Sequence, residues 1–365
     1  MFPNPLTDRL GLTLPIIQAP MAGGPTTPEL VAAVSNAGGL GSLAGSFMSG
    51  KAIAEACRRI RQLTDRPFAV NLFVPEDHKP SPATLATASA ALDGYRAELG
   101  LTRPPERAAY LQPFDEQLEG TLEGRPTVFS FCFGIPDDLV LDRLRDVGMH
   151  LIGTATTVSE ALLLEEADVD AIVAQGFEAG GHRGSFAVPF DHGLVGLMAL
   201  LPLMVDAVET PVIAAGGMMD GRGIAAALMM GAGAAQLGTA FLACDESGWG
   251  ETHRAALQAA RDDSTALTDA FTGKPARALR NRFMVEMFER HSPKAPYPAQ
   301  HGVAQDMKRA AAEQGRIDLM QILAGQAAGA VRRLPTAKLM GCLRDELAEA
   351  LAAGGRVKML LENGR

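Results

Sequence analysis

The order of the apolar runs constrains this chain more than any other feature. Short strand-like runs alternate with Ala-rich helical stretches, the pattern of βαβ units built on a parallel sheet. Strands are expected at Pro15–Pro20, Gly39–Leu43, Pro67–Phe73, Thr127–Phe133, His150–Ala155, Ala171–Gln175, Pro211–Ala215 and Ala234–Gly238. Helices are expected between them, at about Pro28–Ala37, Lys51–Leu63, Asp137–Val147, Val158–Ala167, Gly193–Val208 and Gly223–Met230. Eight such units in one series favour a TIM (β/α)8 barrel over an open doubly wound sheet. The chain length of 365 residues suits a barrel with additions.

Regularity breaks between Pro75 and Pro126, where Pro80, Pro82, Pro104, Pro105 and Pro113 frame two helical pieces. This segment reads as a helical insertion (75–126) after the third strand. The barrel then comprises 1–74 and 127–245, and residues 246–365 form a helical C-terminal region expected to complete the substrate cavity.

Charge and composition exclude several classes of function. The net charge of −9 argues against nucleic acid, which rewards basic faces. No apolar run reaches the length of about 18 residues expected of a membrane span. The segment Met1–Arg9, with Pro3, Asn4, Pro5 and Asp8, lacks the basic-then-apolar layout of a secretory signal, so a cytoplasmic location is expected. Cys57, Cys132, Cys244 and Cys342 are scattered and suggest neither a metal site nor a disulfide framework. Monomer and homodimer both remain open.

The richest chemistry follows the sixth strand, in Gln175-Gly-Phe-Glu-Ala-Gly-Gly-His-Arg-Gly184. Glycines let backbone approach a flat or anionic ligand closely. A histidine among them can accept a proton or donate a hydrogen bond near neutrality. His182 is therefore the candidate catalytic group. His78, His150, His192, His253, His291 and His301 have no such setting, and chemical idleness is the better expectation for them. Glu178 is expected to orient the loop. Arg183 either holds an anion or makes a surface ion pair.

Loops after barrel strands seven and eight often bind phosphate. Here they carry Gly216-Gly217 and Gln236-Leu237-Gly238-Thr239, able to offer main-chain N–H groups, with help expected from the following helix N-terminus. No Walker-type phosphate loop occurs. Gly39-Leu-Gly41-Ser-Leu-Ala44 matches a loose dinucleotide pattern but follows a helix, and it reads as chance. Asn71 and Gln175 are side-chain amides at strand ends, suited to a planar heterocycle or to internal hydrogen bonds. Together with a phosphate end they suggest flavin mononucleotide (FMN).

At these residues the chain resembles a known family. Pro15-Ile-Ile-Gln-Ala-Pro-Met-Ala-Gly-Gly24, Phe68-Ala-Val-Asn-Leu-Phe73, the His182 loop, Ala214-Ala-Gly-Gly-Met-Met-Asp-Gly-Arg222, Gln236–Phe241 and Pro296-Tyr-Pro-Ala-Gln300 are similar to the nitronate monooxygenases, formerly 2-nitropropane dioxygenases. The Glu-Ala-Gly-Gly-His-Arg-Gly form resembles class I in particular. The resemblance implies a barrel binding FMN. It also implies oxidation of alkyl nitronates, including propionate 3-nitronate, by O2 to a carbonyl compound plus nitrite and nitrate, through an anionic flavin semiquinone. By motif position it implies cofactor contacts from Met21, Gly23, Asn71, Gln175, Gly180, Gly181, Gly216, Gly217, Gln236, Leu237, Gly238 and Thr239. His182 would be the active-site histidine, and Tyr110 and Tyr297 would line the substrate cavity. The family often carries a tyrosine and a lysine shortly after the position of Tyr297. Here His301 and Gln305 stand at that spacing, which leaves the preferred substrate open.

Two other functions are compatible with parts of the pattern. A flavin-dependent NAD(P)H reductase, of the quinone or enoyl-acyl-carrier-protein type, would share the barrel and phosphate loops. A flavin-binding sensor without turnover would not need the histidine loop.

Overall fold

Each expected barrel strand forms, within two residues of its expected ends. The computed structural model describes residues 4–76, 79–105 and 110–363, so His78 and the start of the chain, Met1–Pro3, lie outside it. In chain order the strands are β1 (Ile16–Gln18), β2 (Gly41–Ala44), β3 (Phe68–Phe73), β4 (Val128–Cys132), β5 (His150–Ala155), β6 (Ala171–Gln175), β7 (Gly181–His182), β8 (Val212–Ala215), β9 (Ala234–Leu237), β10 (Thr265–Thr268) and β11 (Ala276–Leu279). Eight of them pair in the order β1-β9-β8-β6-β5-β4-β3-β2, with every neighbour parallel. The two ends meet through a parallel bridge from Ile17 to Leu40, so the sheet closes into a TIM barrel. Gln18 N donates to Leu40 O at 2.9 Å, and Leu40 N to Ile16 O at 3.0 Å, across that seam.

Side-chain alternation divides the core in two. Ile16, Val70, Phe129, Leu151, Ile172, Val212 and Ala235 face outward and pack under the helices. Their sequence neighbours Ile17, Ala69, Val128, Ile152, Ala171, Ile213 and Ala234 face inward and fill the barrel. Leu6 and Leu10, from the short helix Pro5–Leu10, join this inner cluster and close the N-terminal end of the barrel. Asn4 starts that helix, accepting from Leu6 N and Thr7 N and donating Nδ2 to Gly233 O at 2.8 Å. Barrel helices begin on similar caps, at Thr27, Ser49 and Thr157.

Among the described residues three helices, one more than the two helical pieces expected, lie between β3 and β4: Pro82–Ala90, Asp93–Glu98 and Phe114–Gly124. The last crosses helix Gly50–Leu63 with Gly50 and Gly120 in backbone contact: a Cβ on Gly50 would sit 1.8 Å from Glu116 O. Only glycine permits that approach.

Sequence reading missed a second sheet, in which β10, β11 and β7 pair antiparallel. Its strands are two to four residues long and rich in alanine, with little β-branching to mark them. Among the described residues no helix is long and apolar enough to cross a membrane.

Candidate active site

The pleat that fills the barrel with apolar groups also builds a polar ring at its C-terminal mouth. One step beyond the inward positions, β3 offers Asn71, β4 Ser130, β5 Thr154, β6 Gln175, β8 Ala215 and β9 Gln236. Asn71 is the register partner of Ser130, and Ala215 is the partner of both Gln175 and Gln236. Above this ring opens a cavity of about 620 Å3. Its wall includes Met21, Gly23, Asn71, Gln175, Gly180, Gly181, His182, Gly216, Gly217, Gln236, Leu237, Gly238 and Thr239, so the barrel brings the proposed cofactor contacts and the catalytic candidate to one place.

Several anchors hold the His182 loop. His182 pairs with Ala276 and Gly181 with Arg277 in the small sheet, and Arg183 N donates to Pro275 O at 2.9 Å. Gln175 spans the loop, with Nε2 donating to His182 O at 3.0 Å and Oε1 accepting from Gly184 N at 2.9 Å. Glu178 accepts from Leu197 N at the start of helix Leu197–Ala207, where a carboxylate also meets the positive helix end. The expected orienting role of Glu178 has this physical form. Arg183 does neither of the things its sequence suggested. It is buried and donates to the carbonyls of Gly176 (2.7 Å), Gln175 (2.8 Å) and Gly193 (2.8 Å), acting as a strut beneath the loop. Sequence could not show this, because the acceptors are main-chain groups. Glu160 is a further buried anchor that sequence reading missed. Its carboxylate accepts from Thr156 N, Phe186 N and Ala187 N and so ties down the chain after the histidine.

The imidazole of His182 opens into the cavity and is otherwise enclosed by rings. Phe133 lies 5.7 Å away between centroids, Tyr297 5.9 Å and Phe73 6.2 Å. Its Nε2 meets Thr272 Oγ1 at 2.9 Å. Burial, reinforced by the Lys274 and Lys308 charges, pushes its pKa down to about 3, so the ring is neutral at physiological pH. Lys274 lies 4.4 Å over the Phe133 ring and pairs with Glu76.

Elsewhere on the wall, Gly23 and Gly24 adopt φ of 91° and 119°, and Gly216 and Gly217 adopt 135° and 68°. The helix N-terminus after β8 does not help there as expected. Asp220 caps it by accepting from Arg222 N and Gly223 N, and Glu346 takes Gly221 N at 3.0 Å. Two carboxylates thus already satisfy that positive end.

A third wall comes from the C-terminal region. Phe47 stacks on His301 at 4.2 Å, and Lys308 Nζ lies 3.1 Å from His301 Nδ1. His301, Gln305, Lys308 and Arg309 all line the cavity. Sequence reading placed His301 and Gln305 here but missed Lys308, one helical turn beyond Gln305. Tyr297 is buried behind His182, with no hydrogen-bond partner for its hydroxyl among the described residues, and stands outside the cavity wall. Tyr110 also stands outside it, packed with Val303 against Leu85, Ala88, Ala295 and Ala299.

The sequence model for nitronate monooxygenase matches residues 4–341. The chain belongs to the nitronate monooxygenase family. A probable nitronate monooxygenase of Staphylococcus saprophyticus is 40% identical over 331 residues, covering 90% of this chain and 93% of the relative. One from Staphylococcus aureus strain JH9 is 40% identical, over 94% and 97% of the two chains. Among solved structures, nitroalkane oxidase from Streptomyces ansochromogenes superimposes with a TM-score of 0.88 at 44% identity, over 95% of this chain and 99% of that one. FabK from Thermotoga maritima reaches 0.76 at 30% identity, over 97% and 98%. As a member of that family the protein is a flavin-dependent oxidoreductase of nitronates.

The residues present fit a flavin. Cβ atoms built on Gly23, Gly24 and Gly181 would meet nothing within 4 Å, so these positive-φ glycines face open space that a side chain would occupy. Asn71 gives Nδ2 to Ser130 at 3.0 Å, which leaves its carbonyl to accept from a ring N–H. Gln175 gives Oε1 and one Nε2 hydrogen to the loop, which leaves the second Nε2 hydrogen for the ring. Among the described residues no aspartate or glutamate lines the cavity, and its charged lining groups are Lys308 and Arg309. An acidic protein therefore presents a cationic pocket, which suits an anionic cofactor and an anionic substrate.

Proposed function

We propose that the protein oxidises alkyl nitronates carrying a carboxylate, such as propionate 3-nitronate, with O2 to a carbonyl compound plus nitrite and nitrate, using FMN. The observation that carries this reading is a cavity with a neutral imidazole on one wall, a lysine on another and no carboxylate among its described residues. FMN would rest on Asn71, Gln175, Gln236 and Leu237, with Gly180, Gly181 and Gly216 close to it and Met21 and Gly23 at its edge. Gly217, Gly238 and Thr239 would meet its phosphate. Bound there, FMN supplies an electron acceptor that O2 regenerates.

The chain's own residues bind and orient the substrate. His182 lies beside the reacting carbon, and the rings of Phe73 and Phe133 keep water from that end. Lys308, with His301 beside it, receives the carboxylate at the far end. Tyr297 acts through His182, as packing behind the imidazole, and Tyr110 acts through the helix Ala299–Val303 that carries His301.

The likeness to FabK keeps a nicotinamide-driven reductase as the competing reading. Anaerobic mixing of the flavin-loaded protein with propionate 3-nitronate, and separately with NADH, distinguishes them. Bleaching of the flavin by the nitronate alone is expected. Rapid bleaching by NADH, with none from the nitronate, would replace this reading with the reductase.

A further inference from the structure

We propose that Thr272 is a positioning residue that holds His182 in the Nε2–H tautomer, leaving Nδ1 as the atom that meets the substrate. The inference rests on the reading of His182 as the substrate-facing group. It comes from the hydroxyl's neighbours. Thr272 Oγ1 has one proton to give and two possible acceptors, Lys274 O at 3.1 Å and His182 Nε2 at 2.9 Å. If the hydroxyl donates to Lys274 O, then Nε2–H donates to Oγ1, and both short contacts are hydrogen bonds. If the hydroxyl donates to Nε2 instead, Lys274 O loses that donor, and Oγ1 accepts only the long 3.4 Å contact from Lys274 N, which it has in either arrangement. The first arrangement satisfies more groups, and in a buried site unsatisfied groups are costly.

Thr272 is well placed for such control. It is 1% exposed, in the turn between β10 and β11, while His182 belongs to β7 of the same sheet. The next residue, Gly273, has a φ of 81° and is wedged against Ala295 O and Tyr297 N, which fixes the turn. Donor and acceptor thus approach from a strand and a turn of one small sheet. Among the described residues no hydrogen bond is made to Nδ1, which belongs to a ring lining the cavity.

The assignment has a chemical consequence. An unprotonated Nδ1 can take the α-proton of a neutral nitroalkane: the C–H bond breaks, the Nδ1–H bond forms, and the C–H electron pair moves onto the nitro group as the nitronate. The Nε2–H bond to Thr272, backed by Lys274 O, then offsets part of the burial and lysine charge that otherwise disfavour an imidazolium here. Thr272 would therefore matter for neutral nitroalkanes far more than for preformed nitronates.

Long-range 1H–15N spectra of the flavin-loaded, histidine-labelled protein read the tautomer directly, with His182→Asn identifying the resonance. Wild type and Thr272→Ser are expected to show a protonated Nε2 and a lone pair on Nδ1. Thr272→Val is expected to lose that pattern. Its kcat/KM on nitroethane should fall at least about tenfold while ethyl nitronate changes less than about threefold. A protonated Nδ1 in the wild type overturns the proposal, as does a Thr272→Val protein with the wild-type tautomer or with equal losses on both substrates. If Thr272→Val fails to fold, the wild-type spectrum still decides. The tautomer is measured without turnover, so its failure is distinct from failure of the nitronate reading.

Discussion

At Lys308 a single ammonium sets how the pocket responds to pH. Burial pushes its pKa down to about 7, and its hydrogen-bond partner is the His301 ring, not a carboxylate. The sign is direct. Below about 7 the group is charged and attracts an anionic tail, and above it the attraction fades. KM for propionate 3-nitronate should therefore rise as pH climbs through neutrality, while KM for ethyl nitronate, which has no carboxylate, should stay level. Lys308→Met should raise the first KM by roughly tenfold or more, the worth of one charge-assisted hydrogen bond, and flatten its pH profile. Steady-state kinetics on both substrates check this. Lys308 was illegible in the sequence because three residues separate it from the spacing that drew attention to Gln305. One helical turn converts that offset into a shared wall. His182 was legible because its glycines advertise a close backbone approach, whereas its partner Thr272 lies ninety residues away in the turn between β10 and β11.

At the scale of elements, the small sheet of β10, β11 and β7 does what the barrel does not: it aims the imidazole. Its tight turn depends on Gly273, where an added Cβ would lie 2.4 Å from Ala295 O and 2.6 Å from Tyr297 N at a φ of 81°. Gly273→Ala should cost several kcal/mol, from about 1–2 kcal/mol of left-handed strain plus the clash. It should also lower turnover by displacing Thr272. Gly315→Ala is the matched control, with a φ of 65° but no atom nearer than 3.8 Å. It should cost only about 1–2 kcal/mol and leave activity alone. Chemical denaturation and turnover of the two variants test the difference. Long periodic elements such as helix Gly50–Leu63 were readable because many residues repeat the same signal. The two-residue strand β7 repeats nothing, and only its partners define it.

At the scale of the molecule, the barrel separates stability at one end from chemistry at the other. The N-terminal end is stoppered by Leu6 and Leu10, each 1% exposed, and the cofactor ring lies at the opposite mouth. Leu10→Ala should cost about 2–5 kcal/mol by leaving a void among the inward-facing residues. Flavin affinity and KM should not change. Denaturation with parallel flavin titration checks both halves of that expectation, and a weakened cofactor site would show that the two ends are coupled.

The sequence by itself determined the eight strands, their parallel order, the glycine-rich mouth and the histidine above it. These features rest on local periodicity and on backbone freedom, which neighbouring residues specify. The tertiary structure alone decided which groups surround the histidine, that Arg183 is a strut, that the helix end after β8 is already capped, and that Lys308 joins the pocket. Each of these depends on hydrogen bonds, or on side chains meeting in one cavity, across segments that are distant in the chain or through main-chain acceptors. No pattern of residue types marks such meetings before the chain has closed.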